Sequence, residues 1–149
     1  MKLKFILTAF LFLFPHFPVS ANEDMAKMAK VIKEDNPEQF KAVLDSFLEA
    51  AKAGNVEKMV SLTSSVTINR IGLEGIKKYY KTDIIPAFRM CTDLSHSGQI
   101  IHVTKEQTGT GSGWVYIRTC KKTKEKSLRV KFFILKENER IVLTSIGHM

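Results

Sequence analysis

The chain has 149 residues, enough for one domain burying about two-thirds of the surface its extended form exposes, and too few for a second domain beside it. Its formal net charge of +8 favours acidic partners. Its two cysteines stand at spacings from histidine that match no zinc pattern, so neither a metal nor a cofactor is expected.

Met1 to Ala21 reads as a secretory leader. Lys2 and Lys4 form the charged start, Phe5 to Phe14 the apolar stretch, and Val19-Ser20-Ala21 a small-residue cleavage site. The apolar stretch is too short for a hydrocarbon core that needs about 20 residues, and Pro15 follows directly, so removal is expected rather than anchoring. The mature protein is then exported, periplasmic or secreted, and soluble. Without Lys2 and Lys4 it keeps a net charge of +6. All of that excess lies between Arg118 and Lys131, where Arg118, Lys121, Lys122, Lys124, Lys126, Arg129 and Lys131 accompany a single anion, Glu125.

Residues 22–36 read as an N-terminal extension: a short helix with Met25, Met28, Ala29 and Ile32 on one side, or a frayed terminus. Residues 37–149 then form one α+β domain. Its first helix has Asn36 as N-cap, Pro37 at the first helical position and Gln39 at N3. Phe40, Val43, Leu44, Phe47, Leu48 and Ala51 make its apolar stripe, and Gly54 stops it. Asn55 caps a shorter helix, Val56 to Leu62. After Thr63-Ser64-Ser65 an extended piece, Val66 to Asn69, leads to Gly72, and a third helix begins at Leu73 with Ile76, Tyr80 and Ile84 inward. Pro86 ends or kinks it.

From Gln99 to Met149 four apolar runs recur at the spacing of an antiparallel meander, after a connector or short strand from Arg89 to Gly98. Gly109, Gly111 and Gly113 fall in a hairpin loop; neither a helix nor a Lys-Ser/Thr pair follows it, as a phosphate-binding loop requires. In the central hairpin, alternation sets Val115, Ile117 and Thr119 opposite Trp114, Tyr116, Arg118 and Cys120. It likewise sets Leu128, Val130, Phe132 and Ile134 against Arg129, Lys131, Phe133 and Leu135. An even-numbered loop pairs the two apolar sets and keeps Arg118 and Arg129 out of the core. On that register Trp114, Tyr116, Arg118, Arg129, Lys131 and Phe133 form an outer face suited to a partner.

The order of elements resembles a known superfamily. The pattern FxxxLxxFLEAAKAGNVEKMVSL (Phe40 to Leu62), then GLEGIKKYY (Gly72 to Tyr80), then a curved antiparallel sheet is similar to the nuclear transport factor 2-like, ketosteroid isomerase-like cone fold. The resemblance runs from about Pro37 to Met149 and implies helices closing one side of a curved sheet around a pocket. Both enzymes and binding modules of that superfamily use the cone. Its isomerases and dehydratases rely on a buried carboxylate or His with a Tyr or Asp partner, and no set here matches closely enough for roles to be carried over.

Candidate chemistry reduces to a few residues. Cys91 and Cys120, in an exported chain, are expected to form a disulfide. Asp83, Tyr79, Tyr80 and His102 are the acid-base candidates, because the third helix and the first long strand should flank the cavity; otherwise the tyrosines are core and Asp83 is a solvated helix end. No nucleophile elbow surrounds any Ser, which argues against a hydrolase. The basic hairpin is either a solvated turn or a surface for an acidic protein, a second copy, or anionic lipid or lipopolysaccharide; nucleic acid suits the charge but not the compartment. The expectation is an exported binding or interaction domain without catalytic activity, acting through the sheet face or the cone pocket. A small cone-pocket isomerase or dehydratase is the alternative.

Overall fold

The computed structural model describes residues 21–91, 93–121 and 127–148, without the side chains of 21, 22, 93, 95–98 and 148. Residues 1–20, which hold all but the last residue of the expected leader, and Lys122, Lys124, Glu125 and Lys126, lie outside the described residues. The fold is α+β: helices first, then a four-stranded antiparallel sheet in sequential order that does not close into a barrel. The helices are α1 (Ala21–Glu34), α2 (Pro37–Ala53), α3 (Val56–Ser61), α4 (Ser65–Ile71), α5 (Leu73–Tyr79) and, after a π-helical turn Tyr80–Ile84, α6 (Ile85–Arg89). The strands are β1 (Asp93–Val103), β2 (Gly113–Lys121), β3 (Ser127–Glu137) and β4 (Arg140–His148), with a one-turn helix α7 (Lys105–Thr108) between β1 and β2.

Local chemistry explains α2 and α3. The Asn36 side chain accepts from the Glu38 amide, Pro37 opens α2, and Gly54 at φ +71° ends it with its amide on the Ala50 and Ala51 carbonyls. Asn55 accepts from the Lys58 amide and starts α3. The stripe Phe40, Leu44, Phe47, Leu48 and Ala51 is buried and packs with Met59, Tyr80, Phe88, Trp114, Phe132 and Ile134 in the core. Pro86 does not end the third helix. The Ile85 amide reaches back five residues to the Tyr80 carbonyl, and Pro86, with no amide hydrogen to place, sits in the first turn of α6.

Two readings from the sequence are corrected here. Val66 to Asn69 is helical, not extended. The Ser64 hydroxyl caps the Thr67 amide at 3.4 Å, and the Glu137 carboxylate, brought in by the β3–β4 turn, takes the Ser65 amide at 3.2 Å. That second cap comes from 72 residues away, so no local pattern announces it.

The other correction is the register of the central hairpin. Lys121 pairs with Ser127, leaving an odd turn of five residues, and Trp114 therefore stands opposite Ile134, Tyr116 opposite Phe132 and Arg118 opposite Val130. This set faces the helices. Trp114 donates from Nε1 to the Asp35 carbonyl at 2.9 Å, and the Tyr116 hydroxyl donates to the Pro37 carbonyl. Val115 and Ile117 turn to the opposite face and are buried too, at 4% and 2% exposure. A strand buried on both faces shows no inside-outside contrast, so alternation alone cannot say which way it faces. The exclusion of Arg118 from the interior misled for a related reason: Arg118 is buried, with its Nη2 3.4 Å from the Asp45 carboxylate and its Nε unbonded.

Close backbone approach fixes the glycine loop. A Cβ on Gly111 would stand 2.0 Å from the Lys136 carbonyl oxygen, and one on Gly113 2.3 Å from that of Ile134. The Arg89 to Gly98 connector holds the start of β1, whose pairing with β2 slips between His96 and Ile100. A second irregularity inserts Thr144 between Leu143 and Ser145 opposite Phe133 and Ile134. Both bend the strands they interrupt. Cys91, just after α6, is bonded to Cys120 of β2, as expected from the sequence.

Candidate functional site

The Thr144 bulge marks the place where helices and sheet part. Upstream of it, the edge of β4 is covered: Leu143 receives the Ser64 amide on its carbonyl and gives its own amide to the Leu62 carbonyl, both at 2.8 Å, a short parallel bridge centred on Thr63. After the Thr63 bridge the chain enters α4, which is held over β4 by the Thr67 hydroxyl donating to the Thr144 carbonyl at 2.7 Å. The Thr144 hydroxyl is in turn spent on the Phe133 carbonyl at 3.1 Å.

Two hollows meet under α4. One, of about 190 Å³, is lined by Thr67, Arg70, Ile71, Ile76, Tyr79, Tyr80 and the β4 segment Leu143 to Ile146. The other, of about 320 Å³, shares Thr67, Arg70, Thr144 and Ser145 and runs over Phe133, Leu135, Val103 and the α7 loop. The larger alone reaches the lower bound of small-molecule sites, about 300 Å³. Val66, Ile71 and Leu73 stand at the surface around α4, each nearly half exposed.

At the inner end, Tyr80 packs edge-on against Phe47 with ring centres 5.5 Å apart and meets the Thr63 hydroxyl at 2.7 Å. Thr63 has one hydroxyl proton and gives it to the Met59 carbonyl at 2.8 Å, so Tyr80 is the donor of the pair. Burial pushes the Tyr80 phenol up to about 12. It is a neutral structural group whose proton is already placed. Tyr79, half-buried, has its phenol raised first by burial and then by the charge of Asp83, and its hydroxyl is uncommitted among the described residues.

The acid-base candidates are thus divided. Tyr79 and Tyr80 line one hollow, with ring centres 5.9 Å apart. Asp83 is exposed and accepts from the Thr82 hydroxyl. His102 lies elsewhere, on the helix-facing side of β1, with its Nε2 3.0 Å from the Asp35 carboxylate and its ring against Trp114 at 5.0 Å. Neither Asp83 nor His102 lines either hollow.

The expected partner face is divided as well. Trp114, Tyr116 and Arg118 are buried on the helix side, at 8%, 2% and 8% exposure, while Arg129, Lys131 and Phe133 point away from it, and the six do not share a face. Among the described residues no cluster of His, Cys, Asp or Glu is close enough to hold a metal ion. No helix of the described residues is long and apolar enough to cross a membrane.

Sequence reasoning missed Thr67, Arg70 and Ser145 as site residues, and Glu137 as their support. The available signal was Thr63-Ser64-Ser65, a run of capping residues before an apolar stretch. Comparison with known proteins adds no assignment: no family model, no curated protein and no solved structure matches the chain.

Proposed function

We propose that the protein is an exported, non-enzymatic binding domain of the nuclear transport factor 2-like cone type, and that its site is the pair of hollows under α4. The observation that carries this reading is the lining. In the inner hollow Ile71, Ile76, Leu143, Ile146 and the Tyr79 and Tyr80 rings surround the hydroxyls of Thr67, Thr144 and Ser145 and one cation, Arg70; the outer hollow adds Ser64, Gln107, Thr108 and Thr110, and among the described residues no carboxylate or imidazole lines either. Apolar walls with sparse polar groups describe a binding pocket. The disulfide supports export, since such bonds persist in oxidising compartments.

The test is a fragment screen by amide NMR on the mature protein, with small apolar compounds that are neutral, cationic and anionic. Shifts concentrated at Ile71, Ile76, Tyr79, Ser145 and Ile146 are expected. Shifts gathered instead around Arg129, Lys131 and Phe133, or no shifts with any compound, would overturn the reading.

A further inference from the structure

We infer that the site under α4 selects a small amphipathic carboxylate, with its head group on Arg70 and its apolar body along Ile71, Ile76, Tyr79 and Ile146. This rests on the reading of the hollows as a binding site and adds the chemistry of the ligand.

Free hydrogen-bonding capacity in the inner hollow defines the ligand. Of the hydroxyls lining the inner hollow, three are already engaged: Thr67 donates to the Thr144 carbonyl, Thr144 to the Phe133 carbonyl and Tyr80 to Thr63. Arg70, Tyr79 and Ser145 make no side-chain hydrogen bond or ion pair among the described residues, although Ser64, Thr67 and Glu137 around them all do. A guanidinium offers five N–H groups and accepts nothing, and a neutral phenol and a serine hydroxyl each offer one O–H. The free polar capacity of the pocket is therefore led by donors, and what suits it is an acceptor.

Charge narrows the class further. Among the described residues Arg70 is the sole charged side chain lining either hollow, and it forms no ion pair with any of them. One planar cation matches one carboxylate in a paired, two-bond geometry. A dianionic phosphate would leave about one charge uncompensated against apolar walls. A cationic ligand meets repulsion, and a neutral alcohol engages the donors without the charge. Size is consistent with a short apolar body: the inner hollow is about 190 Å³, bounded by Ile76, Leu143 and Ile146.

The probes are octanoate, 1-octanol, octylammonium and octyl phosphate, titrated into the mature protein and into Arg70→Gln and Lys58→Gln, with amide shifts as readout. Arg70 and Lys58 are both exposed, so neither change threatens the fold. Octanoate should bind at least tenfold more tightly than 1-octanol and the other two probes, with shifts at Ile71, Ile76, Tyr79, Ser145 and Ile146. Arg70→Gln should weaken octanoate by about tenfold to a hundredfold, the usual weight of a charge-assisted pair, and leave 1-octanol unchanged. Lys58→Gln should change neither.

Equal binding of octanoate and 1-octanol, or octanoate binding that survives Arg70→Gln, would overturn the carboxylate assignment while leaving the pocket a binding site. Tighter binding of octyl phosphate would overturn the choice of head group, and equal losses in both variants would show a diffuse charge effect in place of a site. If no probe moves those amides, the pocket reading itself falls.

Discussion

Two corners of the sheet are tied to the helices by different chemistry. At one, the end of α6 meets β2 through the Cys91–Cys120 bond, and the space around it is filled by Ile84, Phe88, Leu128, Val130 and Ile146. At the other, α4 meets β4 through hydroxyls and a carboxylate: Thr67 on Thr144, Ser64 on Thr67, Glu137 on Ser65. The first corner is covalent and nearly solid, leaving a space of only about 10 Å³. The second is polar, shallow and hollow. A covalent tie with apolar filling fixes one arrangement, while hydrogen bonds worth about 1 kcal/mol each can re-form around a guest. The contrast places adaptability beside the two hollows and rigidity away from them.

The largest expected effect tests what both corners hang from, the helix-facing side of the sheet. Trp114→Ala should destabilise by about 3–5 kcal/mol, as for any large aromatic removed from a core, and Phe133→Ala by about 1 kcal/mol. Urea midpoints of the two variants decide it. Similar losses would mean that the faces of β2 are not as the register gives them.

That register also shows how far the sequence could be read. The placement of helices before a four-stranded antiparallel meander, the caps at Asn36 and Asn55, the stop at Gly54 and the disulfide follow from local rules or compartment, and all are present. The face of β2 did not follow, because Trp114, Val115, Tyr116 and Ile117 are all buried and only the parity of a five-residue turn separates the alternatives. The site was less legible still. Tyr79 and Tyr80 were named from the third helix, but Arg70 belongs to a helix whose cap, Glu137, lies on the far side of the sequence. Contacts of that span leave no periodic trace.

The second effect would break the covalent corner. Cys91→Ala with Cys120→Ala opens a link across 29 residues of sequence and should cost about 3.5 kcal/mol on chain entropy. Hydrogen exchange should also accelerate around Phe88 and Val130 before it does in α4. Uniform acceleration would show that the two corners are one cooperative unit.

The third would loosen the polar corner alone. Glu137→Ala removes the acceptor for Ser65 and leaves the first turn of α4 with only Ser64 as cap. A lost cap costs about 1 kcal/mol, so the midpoint should move little. Amide exchange in Thr67 to Ile71 should rise by about fivefold, and pocket ligands should bind more weakly. Unchanged exchange there would remove Glu137 from the account of how α4 is held.

The smallest effect is one of pH, and its sign follows from the same carboxylate. Burial works to raise the Glu137 carboxyl, but the hydroxyls of Ser65 and Ser64 and the amides of Val66 and Ser65 together outweigh it, so the group is held below its ordinary value of 4.5. A carboxyl lowered in the folded state binds its proton less readily there than in the unfolded chain. Its contribution is therefore complete above about pH 5 and fades as pH falls through 4.5 toward the lower folded value. A protonated carboxyl still accepts a hydrogen bond, so α4 should loosen less in acid than in Glu137→Ala. Exchange rates in α4 of the wild type, compared at pH 6 and pH 3.5 after correction for intrinsic chemistry, should rise modestly. In Glu137→Gln, which cannot titrate, the same comparison should give a smaller change. Equal changes in both proteins would assign the acid sensitivity of this corner to other groups.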